Sequence, residues 1–408
     1  MYIQRIEIDG IRCYKRAALD FSRGINLLSG ENNSGKSTII HALHAIQSGM
    51  LGPDSVRFGD PHGSVKIHLT GPRGSQFYTP VKTFLDNHNA VEFVAQFVIS
   101  ADGSTNSANY FVGQATAPFT VFPSTQPGNL MVPYFSQRRA AEISEAVGAQ
   151  ATFTVGGNLE HLVPKVDRCL TSRQLRDSYR LACEQVFGFE VTTFPTNNGK
   201  MAGLEINAVL QQYISIRRLG AGIAQSLGLI VELLLAEDKI FLIEEIENDL
   251  HPTALRALLD LVVQSTEKGN QFIISTHSSV VVRTLGGAEG SKVWRTERVA
   301  DSLPPESKIA ELASDPTARH ALLQSLGYDF GDFGLYDAWL IFEESSAERI
   351  VREFIIPWFA PGLAGRVRTL AAQGASDVEP RFLDLHRLFV FTHLEPAYFK
   401  KGLGSYRW

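Results

Sequence analysis

Apolar and polar positions alternate from Tyr2 to Ile8, the two-residue period of a half-buried strand, and the run from Gly24 to Ser29 predicts a second strand. That second strand leads into a glycine-rich turn and a helical pattern from about Lys36 to Ile46. From about residue 52 to 207 the texture changes to short β-type runs, Val65 to Leu69 and Val91 to Ser100 among them, punctuated by Gly, Pro and Asn. One helical stretch, Asp167 to Val186, stands among them with Arg168, Arg173, Arg176 and Arg180 on its polar side. The region is expected to be a long insertion within one domain.

Regular α/β texture returns near Tyr213. A helix is expected from Ile223 to Ala236, then a buried strand from Lys239 to Ile243. A helix after Pro252 follows, with Leu255, Leu258, Leu259 and Val262 at core-facing spacing and an end near Gly269. Gln271 to Ser275 reads as another buried strand, and Val299 to Tyr336 as a polar linker. Beyond it, Trp339 to Phe342, a helix from Ser346, Val367 to Leu370 and Leu388 to Thr392 read as a second, smaller β-α-β series. The expected organisation is an α/β chain with a first domain over 1–298, a linker over 299–336 and a second unit over 337–408.

A chain of 408 residues accommodates two to three such units. Its 38 basic and 43 acidic residues give a net charge of −5, which excludes a global basic field and leaves room only for a local one. Cys13, Cys169 and Cys183 are odd in number, widely spaced and without a CxxC, so no disulfide framework, zinc ribbon or zinc hook is expected. The opening MYIQRIEIDG carries charges in an alternating pattern and reads as a strand, not a leader. The longest apolar stretch, Gly228 to Ala236, is interrupted by Glu232 and falls short of the about 20 residues of a membrane span. A cytoplasmic protein with no membrane association is expected.

The turn after the second strand is Gly30-Glu31-Asn32-Asn33-Ser34-Gly35-Lys36-Ser37, which satisfies G-x-x-x-x-G-K-S, and Thr38 follows. In such a loop Gly30 and Gly35 let backbone N–H groups face a β-phosphate, Lys36 reaches the β/γ oxygens and Ser37 ligates Mg²⁺. Its position between a predicted strand and a predicted helix is the context the pattern requires.

Lys239 to Ile243 runs into Glu244 and Glu245, two acids at the end of an apolar strand. The pair suits metal-assisted phosphoryl chemistry: Glu244 holds Mg²⁺ through its hydration shell and Glu245 aligns the attacking water. A solvated strand end is the bland alternative. The next strand ends in Ser275-Thr276-His277-Ser278, where His277 could hydrogen-bond a γ-phosphate and the attacking water, an incidental histidine at a strand end being the alternative.

These motifs resemble the ATP-binding-cassette ATPases that lack a transporter, the recombination and chromosome-maintenance group. They are most similar to the Overcoming Lysogenisation Defect (OLD) family, near which lie ATPase subunits of anti-phage systems such as Gabija, Septu and PARIS. The resemblance rests on the Walker A loop from Gly30 to Thr38, a signature-like Leu219-Gly220-Ala221-Gly222-Ile223-Ala224-Gln225, the Walker B string from Glu244 to Pro252 and the switch at His277. It covers about residues 1–70 and 205–345. It implies an ABC-type P-loop ATPase head that binds ATP and Mg²⁺ and forms a homodimer or larger homo-oligomer, with the Gly220–Gly222 signature of one copy facing the γ-phosphate held by another. It also implies a nucleotide-proximal role for Arg12 and a metal or water contact for Gln137, although Tyr134 to Arg139 reads equally as a solvated basic turn.

OLD proteins usually carry a Toprim nuclease domain after the ATPase, and Leu340 to Glu348 looks like its opening strand and loop. Glu344 and Glu348 fit the early acidic roles. At the later strand end, His393-Leu394-Glu395 stands where Asp-x-Asp is expected, which argues for a degenerate, non-cleaving module. The leading expectation is therefore an ATP-hydrolysing oligomeric head that regulates a separate effector, a nuclease being one candidate, in prokaryotic anti-phage defence. A self-contained ATP-dependent endonuclease and an ATP-bound assembly scaffold are the alternatives, and DNA contact through Arg138, Arg139, Arg217, Arg218 or the Arg168–Arg180 face stays open.

Overall fold

The computed structural model describes residues 1–49, 51–71, 81–104, 106–121, 130–134, 161–197, 199–300, 302–312, 321–323, 325–326, 338–363, 367–372 and 374–391. The first half supplies β1 (Tyr2–Ile11), β2 (Tyr14–Asp20), β3 (Ile25–Ser29), α1 (Lys36–Ser48), β4 (His62–Thr70), α2 (Lys82–Asn87), β5 (Glu92–Ser100), β6 (Asn106–Val112), β7 (Ala115–Pro118) and β8 (Met131–Tyr134). Then come α3 (Leu162–Thr171), α4 (Arg176–Phe187), β9 (Thr192–Thr196), β10 (Gly199–Asn207), β11 (Gln212–Ser215), α5 (Ala221–Leu235), β12 (Ile240–Glu244), α6 (Pro252–Thr266) and β13 (Gln271–Thr276). The remainder is α7 (Ser279–Gly286), β14 (Lys292–Arg298), β15 (Ser307–Glu311), β16 (Ala338–Phe342), α8 (Ser345–Ile350), a π-helical turn, α9 (Ile356–Phe359), β17 (Val367–Ala371) and α10 (Ala375–Phe391).

Two six-stranded sheets dominate. One is antiparallel, in the order β2-β1-β4-β5-β6-β7, and the other runs β15-β14-β3-β13-β12-β8 with its inner strands parallel. On β12, Ile240 and Leu242 face a core shared with α1 and the antiparallel sheet, while Phe241 and Ile243 face a core shared with α4 to α7. Burial on both faces explains why this strand reads as an unbroken apolar run. Gln271 joins the sheets: its amide receives a hydrogen bond from Ile3 N at 2.9 Å and donates to Ile3 O and Ser22 O, both at 2.8 Å.

Several expectations change. The stretch expected as an insertion completes both sheets: β4 and β5 extend β1, and β8 pairs in parallel with β12. A four-residue strand containing Pro133 is tolerated because β8 is an edge. It is pinned by Gln47, whose amide oxygen accepts from Leu130 N and Met131 N and whose nitrogen donates to Met131 O. The single helix expected over Asp167 to Val186 is two, α3 and α4, parted by a turn at 172–175. Ser307–Glu311, within the stretch expected to be linker, is an antiparallel strand beside β14.

The strand expected at Leu388 to Thr392 is not formed, since residues up to Phe391 continue α10. Ion pairs hold that helix: Arg381 to Asp377 within it, and Arg256 to Asp384 and Arg387 to Asp260 across to α6. His393, Leu394 and Glu395 lie outside the described residues. Only β16 and β17 form the small C-terminal sheet among the described residues. No described helix is long and apolar enough to cross a membrane.

Candidate functional site

Three neighbouring parallel strands deliver the candidate chemistry at their C-terminal ends. β3 ends at Ser29 and opens the loop, β12 ends at Glu244, and β13 ends at Thr276 before His277. Ligands of open α/β sheets bind at this edge.

The loop is shaped by its own residues. Gly30 (φ 154°), Asn33 (φ 58°) and Gly35 (φ 98°) take positive φ, and Gly35 caps α1. A Cβ on Gly35 would sit 2.6 Å from Cys13 Sγ and 2.8 Å from the Tyr14 hydroxyl, so the antiparallel hairpin leaves no room for a side chain there. Ser34, Lys36 and Thr38 are buried, whereas Asn32, Asn33 and Ser37 are exposed. Lys36 Nζ donates to Gly30 O at 2.8 Å and Glu31 O at 2.7 Å, bridging the loop. Burial holds its pKa below the ordinary lysine value, with the charges of Glu245, Glu247 and Glu31 opposing the shift.

Glu244 is 7% exposed, and among the described residues its Oε1 has no hydrogen-bond partner; His41 Nε2 of α1 lies 3.5 Å from it. An orphaned buried carboxylate oxygen beside the loop helix fits a Mg²⁺ site that takes its other ligands from phosphate, water and Ser37. Among the described residues no cluster of three or more His, Cys, Asp or Glu is gathered to hold an ion by itself.

Glu245 adopts φ 50°, a strained value of the kind that concentrates at functional sites. Its N–H donates to Ser275 O at 2.9 Å and its Oε2 accepts from Asn248 Nδ2 at 2.8 Å. His277 Nδ1 is 3.7 Å from Glu245 Oε1 but 3.4 Å from Glu247 Oε1. Glu247 had no role assigned from sequence, yet its carboxylate also receives Thr276 Oγ1 at 2.7 Å and His277 N at 3.0 Å. The third acid of the E-E-x-E string was the signal available for it.

Gly220 (φ 104°) caps α5, and Gly222 lies so close to the segment after Glu245 that a Cβ would meet Asp249 O at 2.6 Å. Gly222 thus seats against its own chain's acidic loop, whereas a Cβ on Gly220 would meet nothing within 4 Å. Arg12, exposed and at φ 46°, lines with Thr38, His41, His44 and Ser55 a cavity of about 340 Å³ beside α1. Gln137, Arg138 and Arg139 lie outside the described residues. Arg173, Arg176 and Arg180 are exposed, with Arg180 paired to Glu184 at 2.9 Å.

In the C-terminal unit Glu348 is engaged by Thr369 and by Arg352 at 2.9 Å, and Glu344 accepts from Ser346 at 3.0 Å.

Comparison with known proteins agrees with this architecture. Residues 5–110 match the family described as "AAA domain", and residues 205–283 match "AAA domain, putative AbiEii toxin, Type IV TA system". The chain is 19% identical to an ATP/GTP phosphatase of Helicobacter pylori over 69% of its own length and 87% of the relative's. It is 39% identical to the DNA replication and repair protein RecF of Bifidobacterium adolescentis, over 17% of this chain and 18% of that protein. Among solved structures, an Smc head bound to the C-winged helix domain of ScpA superposes with a TM-score of 0.53 at 16% identity, over 77% of this chain and 98% of that one. The chain therefore has an α/β P-loop ATPase head fold similar to that of SMC heads, and two of its stretches match AAA-domain families.

Proposed function

We propose that the protein binds ATP with Mg²⁺ and hydrolyses it between two copies of itself. The observation that carries this reading is the convergence of the Lys36 loop, Glu244 with Glu245, and His277 on one sheet edge. Bound Mg²⁺ would supply charge neutralisation on the β- and γ-phosphates. In this reading Lys36 releases the Gly30 and Glu31 carbonyls to reach phosphate, Ser37 and Glu244 hold the ion, Glu245 orients the attacking water, and His277 contacts the γ-phosphate. Gly220 and Gly222 lead a helix whose N-terminal amides face the nucleotide of the second copy.

The described matches to a toxin-antitoxin family and to a phosphatase of nucleoside triphosphates support a further step. The ATPase cycle regulates a separate effector in prokaryotic defence, as the OLD-like motif set implies, while the C-terminal unit serves docking and not cleavage. Engagement of Glu348 by Arg352 and Thr369 supports that last point.

The test is phosphate release by purified protein with Mg²⁺, compared with Glu245→Gln, alongside light scattering with and without ATP. Turnover that falls about a hundredfold or more in the variant, with ATP-dependent dimers retained, is expected. Absence of ATP-dependent turnover and of ATP-dependent assembly in the wild type would overturn the reading.

A further inference from the structure

Strand β14 places a threonine directly beneath the phosphate-binding loop. Thr296 is 2% exposed, its hydroxyl donates to Ser29 O at 3.1 Å, and its Oγ1 lies 2.6 Å from Ser34 Oγ. A hydroxyl has one proton. With the Thr296 proton on the Ser29 carbonyl, the short contact is made by Ser34 donating to Thr296, which fixes the direction of the Ser34 side chain in a site where it is only 1% exposed.

The other end of the loop rests on the same residue. A Cβ built on Gly30 would come within 2.3 Å of Thr296 O and 2.4 Å of Thr296 Oγ1, so Gly30 is in contact with Thr296 on the side where any other residue carries its side chain. One side chain, contributed from far along the chain, thus seats the first glycine and the serine before the second. β14 also pairs with β3 through Arg295 and Ser29, so this seat is part of the rigid sheet and not of a mobile loop.

We propose that Thr296 is a positioning residue for the nucleotide site: it holds the loop in the shape that receives phosphate. It acts through Ser34 and Gly30. The inference rests on reading the loop as an ATP site, and the experiment separates the two.

Hydrogen exchange is measured over residues 30–36 in the nucleotide-free protein, together with the Kd for a fluorescent ATP analogue and the kcat and KM for ATP, in wild type, Thr296→Val and Thr296→Ser. Valine leaves Ser34 buried without its partner, so loop exchange should accelerate about tenfold and nucleotide affinity fall about tenfold, with kcat nearly unchanged. Serine retains the hydroxyl and should restore both. Unchanged loop exchange in Thr296→Val, or equal damage from serine, overturns the proposal whether or not ATP binds. Wild-type protein that shows no affinity for the analogue refutes the ATP reading instead. Should Thr296→Val not fold, Ser34→Ala removes the same hydrogen bond from the other side and must show the same faster exchange, or the proposal fails.

Discussion

Glu247 and His277 are joined through the backbone: the His277 N–H donates to Glu247 Oε1 at 3.0 Å, and the imidazole Nδ1 stands 3.4 Å from the same oxygen. The switch histidine is thereby held by the acid two residues beyond Glu245. Glu247→Ala leaves this N–H and the Thr276 hydroxyl without their acceptor, which should cost about 1–3 kcal/mol in urea unfolding and reduce ATP turnover as well. Glu247→Gln keeps an acceptor oxygen and should recover most of the stability. If alanine and glutamine lose stability equally, charge and not hydrogen bonding explains the contact.

The contrast with Glu245 shows how much of the site was legible. Gly30 to Ser37 could be read because its pattern is local: Gly30, Asn33 and Gly35, the residues that take positive φ, lie within one short run of sequence. Glu244 and Glu245 were found because the strand before them is apolar on both faces. Sequence marks Glu247 only as a third acid after Glu244 and Glu245; its role stays hidden there, since its partners Thr276 and His277 meet it only through the pairing of β12 with β13. β8 was missed for a related reason. Its four residues carry no period, and its place is set by Gln47 and by pairing with Ile240 to Ile243. Leu388 to Thr392 shows the reverse error: a short apolar run fits strand or helix equally, and anchoring of α10 to α6 by Arg256 and Arg387 accompanies the helix.

Gly222 makes a second testable contact. A methyl group there would fall 2.6 Å from Asp249 O, so Gly222→Ala must move either the start of α5 or the loop that follows Glu245. The expected cost is about 1–3 kcal/mol of stability, with loss of ATP turnover. Gly24→Ala is the control, because a Cβ at that position meets nothing within 4 Å. Equal thermal midpoints and equal turnover for the two variants would show that the Gly222 contact is slack.

The three thiols differ sharply in environment. Cys169 and Cys183 are fully buried, and burial pushes their pKa values up to about 12 and about 11. Cys13 is partly exposed, 3.9 Å from the Thr38 hydroxyl. Iodoacetamide at pH 8 should therefore label Cys13 at least tenfold faster than the other two in native protein, since thiolate character and access set the rate. Because Cys13 packs against Gly35 and Thr38, saturating ATP should slow this labelling. Peptide mass mapping reads both effects, and rapid labelling of Cys169 would contradict the packing of α3 against α5.

Lys239 predicts a pH dependence far from the loop. Just before β12 it is 3% exposed, and burial, with Lys165 adding to it, pushes its pKa from 10.5 down to about 7, against the opposing pull of Glu232. In the unfolded chain the group keeps its ordinary value, so between about pH 7 and 10.5 the unfolded state binds a proton that the folded state has released. Stability from this group accordingly rises with pH through that window and is level below it, where both states are charged. The slope approaches about 1.4 kcal/mol per pH unit for one proton, so urea unfolding should show a gain of about 2 kcal/mol between pH 7 and 9. Lys239→Met removes the titrating group, and its stability should lack this rise and exceed that of the wild type at pH 7. An identical pH slope in the variant would assign the dependence to other groups and place the Lys239 ammonium in contact with water.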